Sequence, residues 1–325
     1  MSTARQILAL LKSHIEGDDT QFLSVAMQVA AQEARQGHGK IAQELRALID
    51  QAKERKSAVR RTGAIPLAQP KGELAALLSV AYPEVRLAGM VLPRELESRL
   101  RRVLREQKQQ NRLRDHGLFP RRKLLFLGPP GSGKTMTAAA LAGELALPLF
   151  TILLEGVITK FMGETAAKLR AVFDAMADTR GVYLFDEFDA IGARRSSSND
   201  VGEIRRVLNS FLQFLEQDDS TSLVIAATNH SELLDPALFR RFDDVIEYAL
   251  PEPEVAHRII DARLATFDTA ALDWSAVTDA AAALSQAEIA RAADEAAKSA
   301  VLEGHTRIST AELLDSLSER RRASR

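Results

Sequence analysis

Gly128–Thr135, GPPGSGKT, follows the apolar run LLFL and leads into the helical segment MTAAALAGEL. Gly-x4-Gly-Lys-Thr between a strand and a helix is the pattern of a phosphate-binding loop. Gly128, Gly131 and Gly133 let backbone N–H groups turn inward around phosphates. Pro129, Pro130 and Ser132 complete the loop, and the helix opening at Met136 adds the positive end of its dipole. In this reading Lys134 reaches the β- and γ-phosphates of a nucleotide and Thr135 holds Mg²⁺.

Downstream, YLFDEFD places Asp186 at the carboxyl end of an apolar run, where ligands bind in open α/β sheets. Asp186 is a candidate Mg²⁺ ligand, directly or through water. Glu187 beside it is placed to polarise an attacking water. The alternative is a pair of carboxylates capping the next helix. SLVIAATNH then ends in Asn229, whose amide can position a water near the γ-phosphate, or serve simply as a turn residue. DPALFRRFD, Asp235–Asp243, pairs Arg240 with Arg241. Arginine suits the charge on a transferring phosphoryl group, while the plainer role is an ion pair with Asp243 or Asp244. Lys160–Thr165, KFMGET, leaves Phe161 and Met162 either as core packing or as a grip on something outside.

The elements that must hold these residues follow from hydrophobic patterning. KLLFL, LPLFTI, GVYLF, SLVIAAT and DVIEYAL alternate with amphipathic helices. Continuous apolar runs of this length suit strands buried on both faces of a parallel sheet, so the centre is expected to be a doubly wound α/β domain. Before it, LPRELESRLRRVLREQKQQNRLRDHG reads as one long helix opened by Pro93. Beyond Pro251 only helical patterns remain. Residues 3–55 read as three helices; the second carries Phe22, Val25, Ala26, Val29 and Ala30 on one face, and the third Ile41, Leu45, Leu48 and Ile49. Lys53–Gly72 is polar and punctuated by Gly63, Pro66 and Pro70. The expected domains are a helical bundle over 1–55, a linker over 56–84, an α/β domain over 85–250 and an all-helical lid over 251–325.

GPPGSGKT, YLFDEFDAI, AATN and DPALFRRFD, in this order and spacing, resemble the AAA-clade ATPases of the AAA+ superfamily over roughly residues 85–320. The resemblance implies ATP and Mg²⁺ as cofactors and a P-loop NTPase fold. It makes Asn229 the sensor-1 residue, and Arg240 and Arg241 arginine fingers acting in trans within a ring, usually a hexamer. KFMGE aligns with the first pore loop, which makes Phe161, flanked by Lys160 and Met162, the residue that grips a protein client. GARRSSSND lies where a second pore loop falls, or is a solvated loop; Arg194 and Arg195 are its cations. In the lid, related proteins carry a glycine–alanine step near the adenine. Here ALSQAEI keeps Ala287 but puts Gln286 in place of the glycine. The chain is also similar to small bacterial AAA proteins that accompany a separate protease, and it carries no H-E-x-x-H of its own.

The 325 residues are 46% hydrophobic and 27% charged, with net charge −1 and no cysteine. That composition fits a globular protein and excludes a disulfide framework or thiolate zinc site. The N-terminal MSTARQILALLKSHIEGDD, interrupted by Arg5, Lys12 and Glu16, reads as neither signal peptide nor membrane span, so a cytoplasmic location without membrane contact is expected. Near-neutrality disfavours nucleic acid as partner. Residues 94–123 nevertheless hold eleven Lys/Arg against four Asp/Glu. A nucleic-acid motor or loader, or a slow ATP-dependent assembly switch, are the alternatives to a protein-remodelling motor.

Overall fold

The computed structural model describes residues 72–157, 162–189, 200–230 and 236–323, together with Val29, Gln43, Glu232 and Leu234. The chain divides into two compact units, residues 1–67 and 68–325. The N-terminal bundle and most of the linker lie outside the described residues, as do Lys160, Phe161, Arg194, Arg195 and the side chain of Met162.

Six strands form one sheet: β1 (Leu78–Ala81), β2 (Lys123–Leu127), β3 (Leu149–Ile152), β4 (Val182–Phe185), β5 (Leu223–Thr228) and β6 (Asp244–Glu247). Their order is β1-β3-β4-β5-β2-β6, with β2 to β6 all parallel. The five strands expected from the apolar runs are present. The sheet also reaches back into the segment expected as linker. There LSVA pairs antiparallel with β3, Val80 opposite Phe150, as an edge strand.

Period-two alternation divides the sheet's side chains between two layers. Tyr183, Phe185, Val224 and Ala226 enter one core, which α5 (Met162–Asp178) and α6 (Asp200–Gln217) cover with Phe173, Met176, Phe211 and Leu215. Val182, Leu184, Ile225 and Ala227 enter the other, covered by α1 (Arg94–Lys108) and α3 (Lys134–Leu145). The small residues Ala138, Ala140 and Ala142 let α3 lie close on the sheet. Between β3 and α5 lies the single-turn α4 (Leu154–Val157).

The long basic helix is two helices. α1 ends at Lys108, and α2 (Gln110–Asp115) begins after Gln109, whose φ of −108° and ψ of 22° leave the helical region. Much of the positive charge here is absorbed within the fold: Arg99 pairs with Asp244, Lys108 with Glu144, Arg121 with Glu106, Arg122 with Asp218 and Arg101 with Glu97. Exposed Arg94, Arg102 and Arg105 remain along a shallow groove on α1.

After β6 come α8 (Pro253–Arg263), α9 (Trp274–Ala281), α10 (Gln286–Leu302) and α11 (Thr310–Ala323), with their own core around Ile260, Ile289, Ala293 and Leu313. This helical lid is joined to the α/β part by Val91, which packs against its core, and by Arg258 Nη1, which donates to Leu92 O at 3.2 Å. No described helix is long and apolar enough to cross a membrane.

Candidate active site

The phosphate loop leaves β2 at Gly128 and enters α3 at Lys134. Gly128, Gly131 and Gly133 have φ of +147°, +74° and +96°. At Gly128 a side chain is also excluded by space, because a Cβ would stand 2.2 Å from Tyr248 O. The loop curls tightly because of these conformations, which L-residues avoid.

Lys134 is 6% exposed. Its Nζ donates to Gly128 O at 2.7 Å, Pro129 O at 2.9 Å and Asn229 Oδ1 at 2.8 Å. Burial holds its pKa below that of an ordinary lysine, while Asp186 and Asp189 pull it back up. The ammonium thus spans the loop and the end of β5. Asn229, reached from β5, is brought to the loop as its sequence position suggested.

Thr135 Oγ1 donates to Asp186 Oδ2 at 2.7 Å. Oδ1 of the same carboxylate accepts from the Glu187 N–H at 3.0 Å. Two hard oxygen donors a hydrogen bond apart, beside a phosphate loop, fit a magnesium ion that also takes phosphate oxygens. Glu187 is exposed and has φ of +51°, a left-handed conformation that costs a non-glycine residue on the order of 1 kcal/mol. Phe188, fully buried, bonds its N–H to Ala227 O at 2.8 Å and anchors this turn. Asp186 thus faces the loop, and Glu187 is turned outward with no side-chain hydrogen bond among the described residues.

In DPALFRRFD, Leu238 and Phe242 are buried and Phe239 packs against the same core, which accounts for the aromatics. Arg240 and Arg241 follow the short helix α7 (Pro236–Phe239) and are both exposed. Neither takes the expected aspartates. Asp243 Oδ2 accepts the N–H groups of Arg122 and Lys123 at 2.8 and 2.9 Å, and Asp244 belongs to Arg99. Arg241 pairs with Glu216, while Arg240 makes no ion pair among the described residues.

The lid closes one side of the loop. Ala287 N donates to Gly131 O at 3.0 Å, which brings the predicted Ala287 to the site. Gln286 Oε1 and Met90 Cε lie 3.7 and 3.8 Å from the position a Cβ on Gly133 would take. Met90 was not expected here. It carries no local signal in the sequence, and only the path of the chain ahead of α1 delivers it.

The sheet, the loop and the carboxylate turn are those of a P-loop NTPase with an attached helical lid. Residues 124–250 match the family model described as ATPase family associated with various cellular activities (AAA). The AAA family ATPase y4kL of Sinorhizobium fredii (strain NBRC 101917 / NGR234) is 33% identical over 303 residues, 93% of this chain and 91% of that one. The chain belongs to the AAA family of ATPases, and its reaction is ATP hydrolysis. The ATP-dependent zinc metalloprotease FtsH 3 of Sphaerobacter thermophilus is 32% identical over 75% of this chain and 51% of its own length. The proteasome-activating nucleotidase of Pyrococcus horikoshii is 33% identical over 61% and 51%. The chain thus spans about half the length of these two relatives. The crystal structure of the FIGL-1 AAA domain shares the fold, with a TM-score of 0.62 at 22% identity, covering 78% of this chain and 91% of that one.

Proposed function

We propose that the protein is a cytoplasmic, ring-forming ATPase, a hexamer, that unfolds or remodels protein clients through a central pore. ATP binds to Gly128–Met136, with Lys134 on the β- and γ-phosphates and Mg²⁺ held by Thr135 and Asp186. Glu187 polarises the attacking water and Asn229 positions it. Negative charge is spread over the transferring group and builds on the leaving oxygen, and Lys134 is the only cation hydrogen-bonded within the described cluster. Arg240 is exposed and makes no ion pair among the described residues. That single observation carries the ring: a complete site needs a second cation, and a neighbouring copy's Arg240 supplies it in trans. Arg241 supports it from beside Glu216.

Lys160, Phe161 and Met162 follow α4 and lead into α5, and they grip the client. An aromatic offers apolar contact without sequence-specific hydrogen bonds, which suits a motor that handles many sequences. Two relatives are named as a metalloprotease and a proteasome-activating nucleotidase, which supports protein as the client. A protease, where one takes part, is a separate chain. The ion pairing of α1 weighs against nucleic acid.

The test is Phe161→Ala. Melting temperature and nucleotide affinity should match the parent, and client unfolding should fall sharply. A core phenylalanine would instead cost roughly 3–5 kcal/mol on truncation. A stable Phe161→Ala protein that still unfolds client at the parent rate would refute the pore assignment.

A further inference from the structure

Three consecutive residues carry the lid onto the phosphate loop, and two already have polar groups hydrogen-bonded, one to the loop and one within the lid. Ala287 N–H bonds to Gly131 O, and Ser285 Oγ accepts from Glu288 N at 3.3 Å as the N-cap of α10. Between them Gln286, the first residue of α10, is half-buried, and its carboxamide makes no hydrogen bond among the described residues. Its carboxamide oxygen stands 3.7 Å from the Cβ position of Gly133, whose neighbours are Ser132 and the loop lysine. The nearby charges are already paired: Glu288 holds Arg291 at 2.8 Å and lies 4.0 Å from Arg320. The lid therefore faces the loop with one neutral amide that has no protein partner among the described residues.

Loop N–H groups around Gly133 cradle the α- and β-phosphates, whereas the γ-phosphate end is marked by Lys134 Nζ, Asn229 and Asp186 at the ends of β4 and β5. A side chain beside Gly133 lies at the α/β end. Half a turn about χ3 exchanges Gln286 Oε1 for Nε2, which turns the acceptor now facing the loop into a donor.

We propose that Gln286 is the lid's hydrogen-bond donor to the α/β-phosphates of the bound nucleotide. It ties the lid to occupancy of the loop and makes the same contact with ATP and ADP. The lid then keeps its grip after hydrolysis, and the γ-phosphate is read only from the β4 and β5 side. The inference rests on nucleotide binding at the loop, not on the ring or the pore.

The experiment is equilibrium displacement of a fluorescent ADP from the full chain by ADP and GDP, and by ATP in a Glu187→Gln background that does not consume it. Gln286→Met keeps the side-chain length and packing but removes the amide, and should weaken all three nucleotides by a common factor of about ten, the loss of one hydrogen bond to a charged group. Gln286→Glu should weaken them further, with a penalty that shrinks as salt rises, because it faces a carboxylate to the phosphates. Melting of the nucleotide-free variants should match the parent. If Gln286→Met destabilises the fold, Gln286→Glu alone decides through its salt dependence. Unchanged affinities would overturn the proposal. So would a loss for ADP without a loss for GDP, which would mean the amide reads the base, and so would a loss confined to ATP, which would move the contact to the γ-phosphate.

Discussion

Gly128→Ala tests whether the loop's shape is held by the sheet beneath it. The added methyl would lie 2.2 Å from Tyr248 O, 2.8 Å from Tyr248 Cβ and 3.0 Å from Tyr248 C. None of these is the swinging end of a side chain. Tyr248 N–H bonds to Leu127 O at 2.7 Å, and Gly128 N–H reaches Thr228 O at 3.3 Å. Relief requires moving the chain after β6 away from β2. Overpacking of this kind costs about 1–3 kcal/mol, and the positive φ about another 1–3 kcal/mol. The expected loss of about 2–6 kcal/mol lowers the melting temperature by roughly 4–24 °C for a unit of this size. Gly117→Ala is the control. It has φ of +70° but nothing within 4 Å of its Cβ, so it carries backbone strain of about 1–2 kcal/mol alone. Thermal melts and urea midpoints of the nucleotide-free proteins, with ADP affinity measured alongside, separate the two. If Gly128→Ala melts as high as Gly117→Ala and binds ADP like the parent, the loop is not held by Tyr248.

Lys134→Ala should lose nucleotide binding, measured by calorimetry, because it deletes the ammonium that joins the loop to Asn229. Glu187→Gln should bind ATP with near-parent affinity yet turn it over at least about a hundredfold more slowly in single-turnover assays; a parent rate would remove Glu187 from the chemistry. Arg240→Ala should bind ATP but hydrolyse it about a thousandfold more slowly. Mixing it with Lys134→Ala should raise specific activity above either variant alone, and no recovery despite co-assembly would count against action in trans. Tyr248→Phe should leave stability within about 1 kcal/mol of the parent, because the buried Tyr248 hydroxyl has only the Thr137 hydroxyl beside it, which already donates to Gly133 O at 2.9 Å. A larger fall in stability would show that the hydroxyl is satisfied.

The phosphate loop, Asp186 and the five parallel strands were legible in the residues themselves. Glycines at fixed spacing meet a conformational demand that few other residues can, and a strand buried on both faces must be apolar throughout. The edge strand LSVA was not legible, because four residues with one polar position make too short a pattern. It is a strand because Phe150 and its neighbours on β3 offer an open edge. The break at Gln109 was hidden as well, since helix-forming residues continue on both sides of it. At the site, the sequence by itself picked out Lys134, Thr135, Asp186 and Asn229, which the fold joins by hydrogen bonds, Lys134 to Asn229 and Thr135 to Asp186. Which arginine pairs with Glu216 was decided in the tertiary structure, because Glu216, at the end of α6, reaches Arg241 and not Arg240. The meeting of Met90, Gly133 and Gln286 was decided there too. These residues stand on the segment before α1, the loop and the lid, and no local propensity relates them. They come together because Met90 packs with one core of the sheet while Val91 beside it and Ile289 of α10 pack in the lid's core.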